Sequence, residues 1–259
     1  MIWPAEAIWE AVSPLLPGFT VEILPEIDST NTELMRRARA GQLEPVLLVA
    51  QRQTAGRGRL GRDWHSDPQG LGDTLTFSLG LCLAPLDWSG LSLAVGLSLV
   101  QTLHPDLRLK WPNDLWLEDR KMAGILIETT MVGQARYAVI GIGINIAPRD
   151  AAGLRTPPAA LRELLPGVQA GDVLAHVVLP LVRALQHFSD QGFAPLVSGF
   201  LQRDVLLGRE VVCSDGLVGV AQGVDASGAL LVHTASGVKK ISSAEVSVRP
   251  RVASAPALL

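Results

Sequence analysis

The segments KMAGILIE at residues 121–128 and YAVIGIGINI at residues 137–146 decide the fold of this 259-residue chain. Both are short and rich in isoleucine, and their only charged residues, Lys121 and Glu128, stand at the ends of the first segment, which is typical of strands that are buried in a sheet. They therefore predict two buried strands, and the elements around them determine what kind of sheet these strands join.

The flanking sequence alternates between strand and helix patterns. Thr30 and Glu33 have the spacing of a helix N-terminal capping box, and Gly41 is a typical C-terminal stop. Further strands are expected at residues 21–24, 46–51, 74–83 and 107–111, and further helices at residues 5–15 and 90–104. Residues 53–72 show no period and predict a long loop. This mixture of elements predicts an α/β domain built on a sheet.

The C-terminal part of the chain has a different character. Residues 172–188 predict a long amphipathic helix in which Pro180 is expected to cause a kink. Short strands separated by hairpin turn signals follow at residues 210–213, 218–224, 229–233 and 239–241. They predict a small β-barrel on the scale of an SH3-like module. The expected division is a catalytic domain at 1–204, the small domain at 205–250 and a flexible tail at 251–259.

Composition excludes several classes of protein. The longest apolar stretch, residues 91–100, is about half of the roughly 20 residues that a membrane-spanning helix needs. The N-terminal sequence does not resemble a secretory signal, so a cytoplasmic protein is expected. Cys82 and Cys213 lie in strand-like apolar contexts, without metal-ligand spacing, and are expected to be buried packing thiols.

The charge pattern points to a specific anion. A net charge of -3 argues against a protein whose whole surface binds nucleic acid. However, Arg52, Arg57, Arg59 and Arg62 crowd one short segment. A mildly acidic protein that concentrates cations in this way is expected to bind a particular anionic ligand there.

The segment GRGRLGR at residues 56–62 is the most informative motif. Glycine lets the backbone approach a ligand closely, while the arginine guanidinium groups reach the oxygens of that ligand. The segment therefore predicts an anion clamp, and its alternatives are a flexible basic loop or an arginine-glycine RNA contact. Trp64, two residues further on, is either a stacking partner for a base or a core anchor.

Two shorter motifs have both functional and structural interpretations. Residues 29–31, Ser-Thr-Asn, coincide with a predicted helix start. Ordinary helix capping explains them, and capping is compatible with ligand binding by the same residues. Residues 110–114, KWPND, are either a plain turn or a turn that presents Asn113 and Asp114 to a nucleotide or its magnesium. Lys121 is either a snorkelling edge residue or a cation directed into a site.

The segment GIGIN at residues 141–145 is not a dinucleotide-binding fingerprint. Ile146 stands where the third glycine would be, and no phosphate-binding helix is predicted after it. The chain also contains no GxxxxGK[ST] phosphate loop. A nucleotide would therefore have to be bound in some other way.

Five motifs follow one another along the chain: STN at 29–31, GRGRLGR at 56–62 followed by Trp64, KWPND at 110–114, KMAGILIE at 121–128 and GIGIN at 141–145. In this order, and together with the small C-terminal domain, they closely resemble the catalytic and C-terminal domains of biotin protein ligases. The resemblance implies a mixed sheet related to that of class II aminoacyl-tRNA synthetases, followed by an SH3-like domain. It also implies an enzyme that forms biotinyl-5'-AMP from biotin and MgATP. Biotin is then expected to pass to one lysine of a biotin carrier protein, such as a subunit of acetyl-CoA carboxylase.

The resemblance implies roles for individual residues. Arg59 and Lys121 match catalytic positions. The expected biotin-binding residues are Ser29, Thr30, Asn31, Gln53, Gly56, Arg57, Gly58, Arg59, Lys121, Gly124, Gly141 and Gly143. The expected ATP-binding residues are Arg57, Arg59, Arg62, Trp64, Lys110, Asn113, Asp114 and Asn145. Asp114 is the candidate ligand of Mg²⁺.

The sequence departs from part of this family. Bifunctional members carry an N-terminal DNA-binding domain, whereas about 25 residues precede the first motif here. No specific DNA binding and no membrane contact are expected, and a homodimer is possible. The rival interpretations are a lipoate or octanoyl ligase of related fold and an arginine-glycine nucleic-acid-binding protein.

Overall fold

The computed structural model describes residues 2–64, 72–154, 156–242 and 248–250. Its larger part is built on a seven-stranded sheet with the order β1-β2-β3-β7-β6-β5-β4. The strands are β1 Thr20–Ile27, β2 Val46–Gln53, β3 Thr74–Cys82, β4 Arg108–Lys110, β5 Asp114–Leu117, β6 Arg120–Val132 and β7 Ala135–Asn145. Strands β1 and β2 are parallel and all other pairs are antiparallel, so the sheet is mixed.

Helices cover both faces of this sheet. They are α1 Ala5–Val12, α2 Thr30–Arg39, α3 Leu91–Leu103, α4 Ala170–Gln191 and α5 Val197–Leu201. Helices α1, α3, α4 and α5 contribute to one large apolar cluster with the sheet. Helix α2 belongs to a second, smaller cluster that includes Tyr137 and Val139 of β7. This smaller cluster therefore covers only part of the sheet face on which α2 packs.

The exposed part of the α2 face is lined by small and polar residues. On β7, Ile140, Ile142 and Ile144 enter the large core, so Gly141 and Gly143 between them face the opposite side. Strand β3 alternates in the same way, with leucine and phenylalanine in the core and threonine or serine opposite. Because Thr76 pairs with Gly143 and Ser78 with Gly141, these residues form one continuous patch.

The C-terminal part forms a separate five-stranded antiparallel sheet. Its strands are β8 Glu210–Cys213, β9 Val218–Val224, β10 Leu230–Thr234, β11 Gly237–Ile241 and β12 Val248–Pro250, in the order β11-β10-β9-β8-β12. The segment at 202–209 connects α5 to β8 and pairs with β4. Leu109 N–H donates to Arg203 O, and Val205 N–H donates to Leu109 O. In addition, the indole N–H of Trp111 donates to Gly228 O at 3.0 Å.

The structure corrects several details of the sequence prediction. Helix α1 ends at Val12. The KWPND segment is a turn as predicted, in which β4 ends at Lys110 and β5 begins at Asp114. Strands β5 and β12 are additional to those predicted. Helix α4, Ala170–Gln191, contains Pro180 and is longer at both ends than the predicted helix at 172–188. Cys213 is buried as expected, but Cys82 is exposed.

The predicted tail and part of the predicted loop fall on residues that the structure does not describe. The tail at 251–259 and residues 65–71 of the predicted loop lie outside the described residues. Among the described helices, none is long and apolar enough to cross a membrane.

Candidate active site

A cleft lies over the small and polar patch of the sheet. It encloses about 850 Å³, counting the open space at its mouth. Helix α2, the loop at 54–64, the β4–β5 connection and strands β3, β6 and β7 all contribute to its walls. All of the predicted site residues line this cleft except Gly56 and Asn145.

Glycines on β6 and β7 make room for other side chains of the site. A Cβ on Gly141 would overlap Oδ1 of Asn31, and one on Gly143 would overlap the indole ring of Trp64. A Cβ on Gly124 would lie 3.5 Å from the same indole ring. The ring of Trp64 therefore lies across Gly143 and Gly124. Its N–H is buried and has no hydrogen-bond partner among the described residues, which leaves a donor available inside the cleft.

The start of α2 presents a hydrogen-bonded polar group. The Ser29 hydroxyl accepts the Thr32 N–H at 3.4 Å, so Ser29 caps the helix. The backbone N–H and the hydroxyl of Thr30 donate to Oε1 of Gln53 at 2.8 and 3.1 Å. Because Oε1 is engaged, Gln53 offers its amide nitrogen as a donor. The Ser78 hydroxyl lies 2.7 Å from that of Thr30 and completes the group.

Asn31 braces one end of the cleft. Its side-chain nitrogen donates to Leu126 O at 3.2 Å and to Oε2 of Glu128 at 3.1 Å, while Oδ1 lies 2.6 Å from the Ser78 hydroxyl. Asn31 is only 3% exposed. Since both amide hydrogens bond to protein atoms, the side chain serves here to hold α2 against the sheet.

The loop at 54–64, here called the glycine-arginine loop, folds back on itself. Gly58 N–H donates to Arg62 O at 2.7 Å, and Trp64 N–H donates to Gly56 O at 2.9 Å. A Cβ on Gly56 would overlap Trp64 O, so only glycine fits at this crossing. Leu60 lies at the tip with a φ of 57°, which is unusual for a residue other than glycine. The folded loop places Gly58 and Arg62 on the cleft wall.

Arg59 connects the loop to the β4–β5 connection. Its Nη1 donates to Oδ1 of Asn113 at 3.3 Å, and the Asn113 amide nitrogen in turn donates to Ile125 O at 2.8 Å. Burial lowers the pKa of Arg59, with a smaller lowering by Arg62 and an opposing effect of Asp114. A guanidinium remains charged despite such a shift, so Arg59 supplies a partly desolvated cation.

Two lysines extend the cationic wall. Lys121 Nζ lies 2.7 Å from Oδ1 of Asp114 and 5.8 Å from the centroid of the Trp64 ring. Lys110 is 9% exposed, and burial lowers its pKa to about 8. An anion in the cleft would favour the charged form of Lys110 and raise this pKa again.

Asn145 lies behind the cleft and not in its lining. Its amide nitrogen donates to Lys121 O at 3.3 Å and to Ala159 O at 3.1 Å. The side-chain oxygen of Asn145 is buried and lacks a hydrogen-bond partner in the part of the chain that is described. Asn145 thus fixes the backbone of Lys121 and retains one unused acceptor.

Sequence reasoning missed some residues of the site. Ser78 and Glu128 both bond to Asn31, and Thr76 lines the cleft and donates to Ala50 O at 2.9 Å. The polar positions of β3 could have been found from the sequence TLTFS, because its alternation predicts one polar face. Nothing local identifies Glu128, whose partners lie 71 and 97 positions away.

Comparison with known proteins agrees with this geometry. Residues 23–145 match the Biotin/lipoate A/B protein ligase family, and residues 206–249 match the Biotin protein ligase C terminal domain. The bifunctional ligase/repressor BirA of Escherichia coli is 36% identical in an alignment 245 positions long, which covers 90% of this chain and 75% of that protein. The chain belongs to the biotin protein ligase family.

Other members of the biotin protein ligase family match over most of their length. The biotin--[acetyl-CoA-carboxylase] ligase of Paracoccus denitrificans is 33% identical over 237 residues, covering 86% of this chain and 98% of the relative. The structure of the Aquifex aeolicus biotin protein ligase in complex with biotin and ATP superimposes with a TM-score of 0.74 and 30% identity. The match covers 89% of this chain and 99% of the Aquifex chain.

These matches confirm the predictions about class and fold. Membership of the biotin protein ligase family confirms the resemblance seen in the motifs and identifies the chain as a ligase. The mixed sheet followed by a small antiparallel β-sheet is the fold that the resemblance implied.

Proposed function

We propose that this chain condenses biotin with ATP to form biotinyl-5'-AMP and then transfers biotin to one lysine of a biotin carrier protein. The relatives named for biotin ligation support the reaction, and the acetyl-CoA carboxylase named for the Paracoccus protein supports the partner. The observation that carries the proposal is a single cleft in which a polar end and a cluster of cations meet. We assign the chemistry to residues 1–204 and an accessory role to residues 205–250.

The polar end of the cleft is the proposed site of the biotin ring. A ureido group has one carbonyl and two N–H groups, so it needs both donors and acceptors. The amide nitrogen of Gln53 is an available donor, and the Ser29 hydroxyl can still donate its hydrogen. The Thr30 hydroxyl donates to Gln53 and can offer a ligand its oxygen as an acceptor. Asn31 shapes this end, and Gly141 leaves space for it. Gly56 supports the site by keeping the loop folded.

The cations are the proposed site of adenylation. Biotin's carboxylate oxygen must attack the α-phosphorus of ATP, and two anions repel each other at bonding distance unless cations screen them. Arg59 and Lys121 line the same cleft and serve this purpose, and Arg57 and Gly58 line it too. One P–O bond forms as the bond to pyrophosphate breaks, and no protein nucleophile is needed. Catalysis rests on alignment and charge stabilisation.

The nucleotide is proposed to lie beside the β4–β5 connection. Lys110, Arg62 and Asn113 offer donors and positive charge, and Trp64 offers an aromatic face and an unpaired N–H. Asn145 supports this region from behind through the backbone of Lys121.

Asp114 fits the expected magnesium ion only as one ligand among several. The described residues contain no group of three or more His, Cys, Asp or Glu side chains that could hold a metal. Mg²⁺ commonly takes one or two protein carboxylates, with phosphates and water completing its shell. We therefore propose that Mg²⁺ enters with ATP, where it would neutralise phosphate charge, and that Asp114 is its protein ligand.

The second step requires a neutral carrier amine. That amine attacks the acyl carbon, the bond to AMP breaks, and a proton leaves the nitrogen; Asp114 is the proposed acceptor of this proton. Until the carrier arrives, the mixed anhydride must be kept from water. The glycine-arginine loop lies over the cleft and is suited to this shielding.

Mass spectrometry of a carrier domain tests the proposed function. The full chain is incubated with MgATP, a biotin carrier domain and either biotin or lipoate, and a carrier whose acceptor lysine is replaced by arginine serves as the control. Biotin should add one biotinyl mass to the native carrier only. A carrier that stays unmodified, while the enzyme is folded, would refute the proposal, and modification by lipoate alone would assign the chain to the other ligase activity.

A further inference from the structure

Glu128 is a charged residue beside the cleft that takes no part in the proposed reaction. It lies on β6, two residues beyond Leu126 and four beyond Gly124, so it shares their face of the sheet. Its side chain is 23% exposed. A carboxylate that is largely withdrawn from water requires partners, and the identity of these partners indicates its role.

The two oxygens of Glu128 bind two different parts of the site. Oε1 accepts from Nη2 of Arg57 at 3.1 Å, and Oε2 accepts from the side-chain nitrogen of Asn31 at 3.1 Å. Nη1 of Arg57 also lies 3.4 Å from the hydroxyl of Thr32 on α2. One carboxylate therefore joins the glycine-arginine loop, helix α2 and strand β6.

This contact changes the interpretation of Arg57. Its guanidinium is half exposed and is directed to Glu128 and Thr32. Near the β4–β5 connection the counter-charge is a different carboxylate, because Lys121 pairs with Asp114 at 2.7 Å. Arg57 thus has its own counter-charge, and its side chain anchors the loop at the end where Asn31 lies.

We propose that Glu128 is a positioning residue that holds the loop against α2 through Arg57, and that it thereby sets the retention of biotin and of its adenylate. The inference rests on the proposed biotin ligase activity. Loss of the anchor would loosen the loop at the polar end of the cleft and leave Arg59, Lys121 and the β4–β5 connection in place. Biotin binding should therefore suffer more than ATP binding or the chemical step.

The test compares Glu128→Gln with Glu163→Gln in the full chain. Glu163 is a matched control because it also pairs with an arginine, Arg120, and has 29% side-chain exposure. Its partners, Arg120 and the Ala160 N–H, do not line the cleft, whereas the partners of Glu128 do. Glu128→Gln should raise the biotin KM by about tenfold, the lower end of the cost of losing a charged hydrogen-bond partner. The kcat and the ATP KM should stay within about twofold, and bound adenylate should dissociate faster.

A double-mutant cycle separates positioning from a general loss of structure. If Glu128 acts through Arg57, Arg57→Gln should raise the biotin KM in the native background but add little to Glu128→Gln. Additive effects of the two changes would overturn the inference, as would equal changes in both KM values and kcat together with a lowered Tm. An active native enzyme with an unaltered Glu128→Gln variant would also overturn it, whereas an inactive native enzyme would refute the ligase proposal itself.

Discussion

Arg59 combines partial burial with a contact that crosses the cleft. It reaches from the loop to Asn113 at 3.3 Å, so its removal would free the loop from the β4–β5 connection at the end where the adenylate's phosphate is proposed to lie. We expect Arg59→Gly to release activated biotin, which would then label bystander lysines. Incubation with biotin, MgATP and a protein that is not a carrier, followed by detection of bound biotin, measures the leak.

Arg52→Gly is the control for this prediction. Arg52 belongs to the same cluster of arginines, but it pairs with Glu26 and does not line the cleft. It should give carrier labelling alone. An Arg59→Gly variant that loses all activity without bystander labelling would contradict the role in retention.

Lys121 stands where the negative charge of both substrates is proposed to concentrate. Its Nζ is held by Asp114 at 2.7 Å, and its backbone is fixed by Asn145. Lys121→Ala should slow adenylate formation in a single turnover by about 100-fold, comparable to removal of one donor that stabilises transition-state charge. Lys240→Ala, which removes a lysine paired with Asp225 in the second sheet, is the control. A native single-turnover rate in Lys121→Ala would reassign Lys121 to a structural role.

Individual residues differ in how far the sequence could predict them. Arg59, Lys121 and Trp64 were predicted because they lie in dense motifs, and the structure brings them to one cleft. Asn31 was predicted as a ligand contact, but both of its amide hydrogens bond to protein atoms. Glu128 was not predicted, because its partners are distant in sequence and no local pattern marks a carboxylate that bridges two elements.

At the scale of elements, the glycines of β7 show that the residue type at a strand position can be required by the side chain that packs against it. Gly143 faces the cleft and lies directly below the Trp64 ring. In Gly143→Ala the added methyl would displace that ring, so we expect weaker nucleotide binding and at least a tenfold loss of kcat/KM for ATP, a scale typical of small misplacements in an active site. Steady-state kinetics at saturating biotin measure the change.

Gly199→Ala is the matched control for β7. Gly199 lies in α5, away from the cleft, and a Cβ there would lie 3.2 Å from a flexible leucine side chain. This variant should keep native kinetics. If Gly143→Ala does the same, the ring of Trp64 has no part in nucleotide binding.

The prediction of elements succeeded where a pattern was long enough to be recognised. Strands β6 and β7 were identified from runs of isoleucine and valine, and α2 from its capping residues. Strands β5 and β12, with four and three residues, are too short to show alternation. Their positions depend on pairing with β6 and β8, which is a property of the folded chain.

At the scale of the whole molecule, Asp204 lies in the segment that joins the two sheets. Its Oδ1 accepts the Leu206 N–H at 2.9 Å, while Oδ2 is buried with no hydrogen-bond partner among the described residues. Burial raises the pKa of Asp204 to about 6, whereas an unfolded aspartate titrates near about 4. The folded state therefore binds more protons between these values, and its stability falls as the pH rises through this window.

Asp204→Asn should remove this penalty. We expect Tm to rise by about 5–10 °C at about pH 7.5, because a pKa difference of about two units corresponds to about 2.7 kcal/mol and about 1 kcal/mol shifts Tm by about 2–4 °C in a protein of this size. The gain should vanish at about pH 4. Asp215→Asn is the control, because Asp215 accepts an N–H in the same turn geometry but is exposed. An equal gain at both pH values would show that ionisation of Asp204 is not the cause.

The last prediction concerns DNA, since relatives of this chain include bifunctional ligase/repressors. Sequence readout commonly places a recognition helix in a groove beside a basic surface. Residues 1–25 contain no lysine or arginine and include Glu6, Glu10 and Glu22. The helix of this region, α1, buries Ile8 and Val12 in the core, and residues 13–19 connect it to β1.

We therefore expect that the 259-residue chain does not bind operator DNA. A mobility-shift assay with DNA from upstream of biotin-synthesis genes, in the presence of biotin and MgATP, should give no complex beyond that seen with a scrambled sequence. Weak binding that disappears with added salt would reflect the arginines of the loop alone, because contacts to phosphate are strongly salt-dependent. A sequence-selective complex that persists at high salt would disprove the prediction and would require a DNA-reading surface elsewhere on this chain.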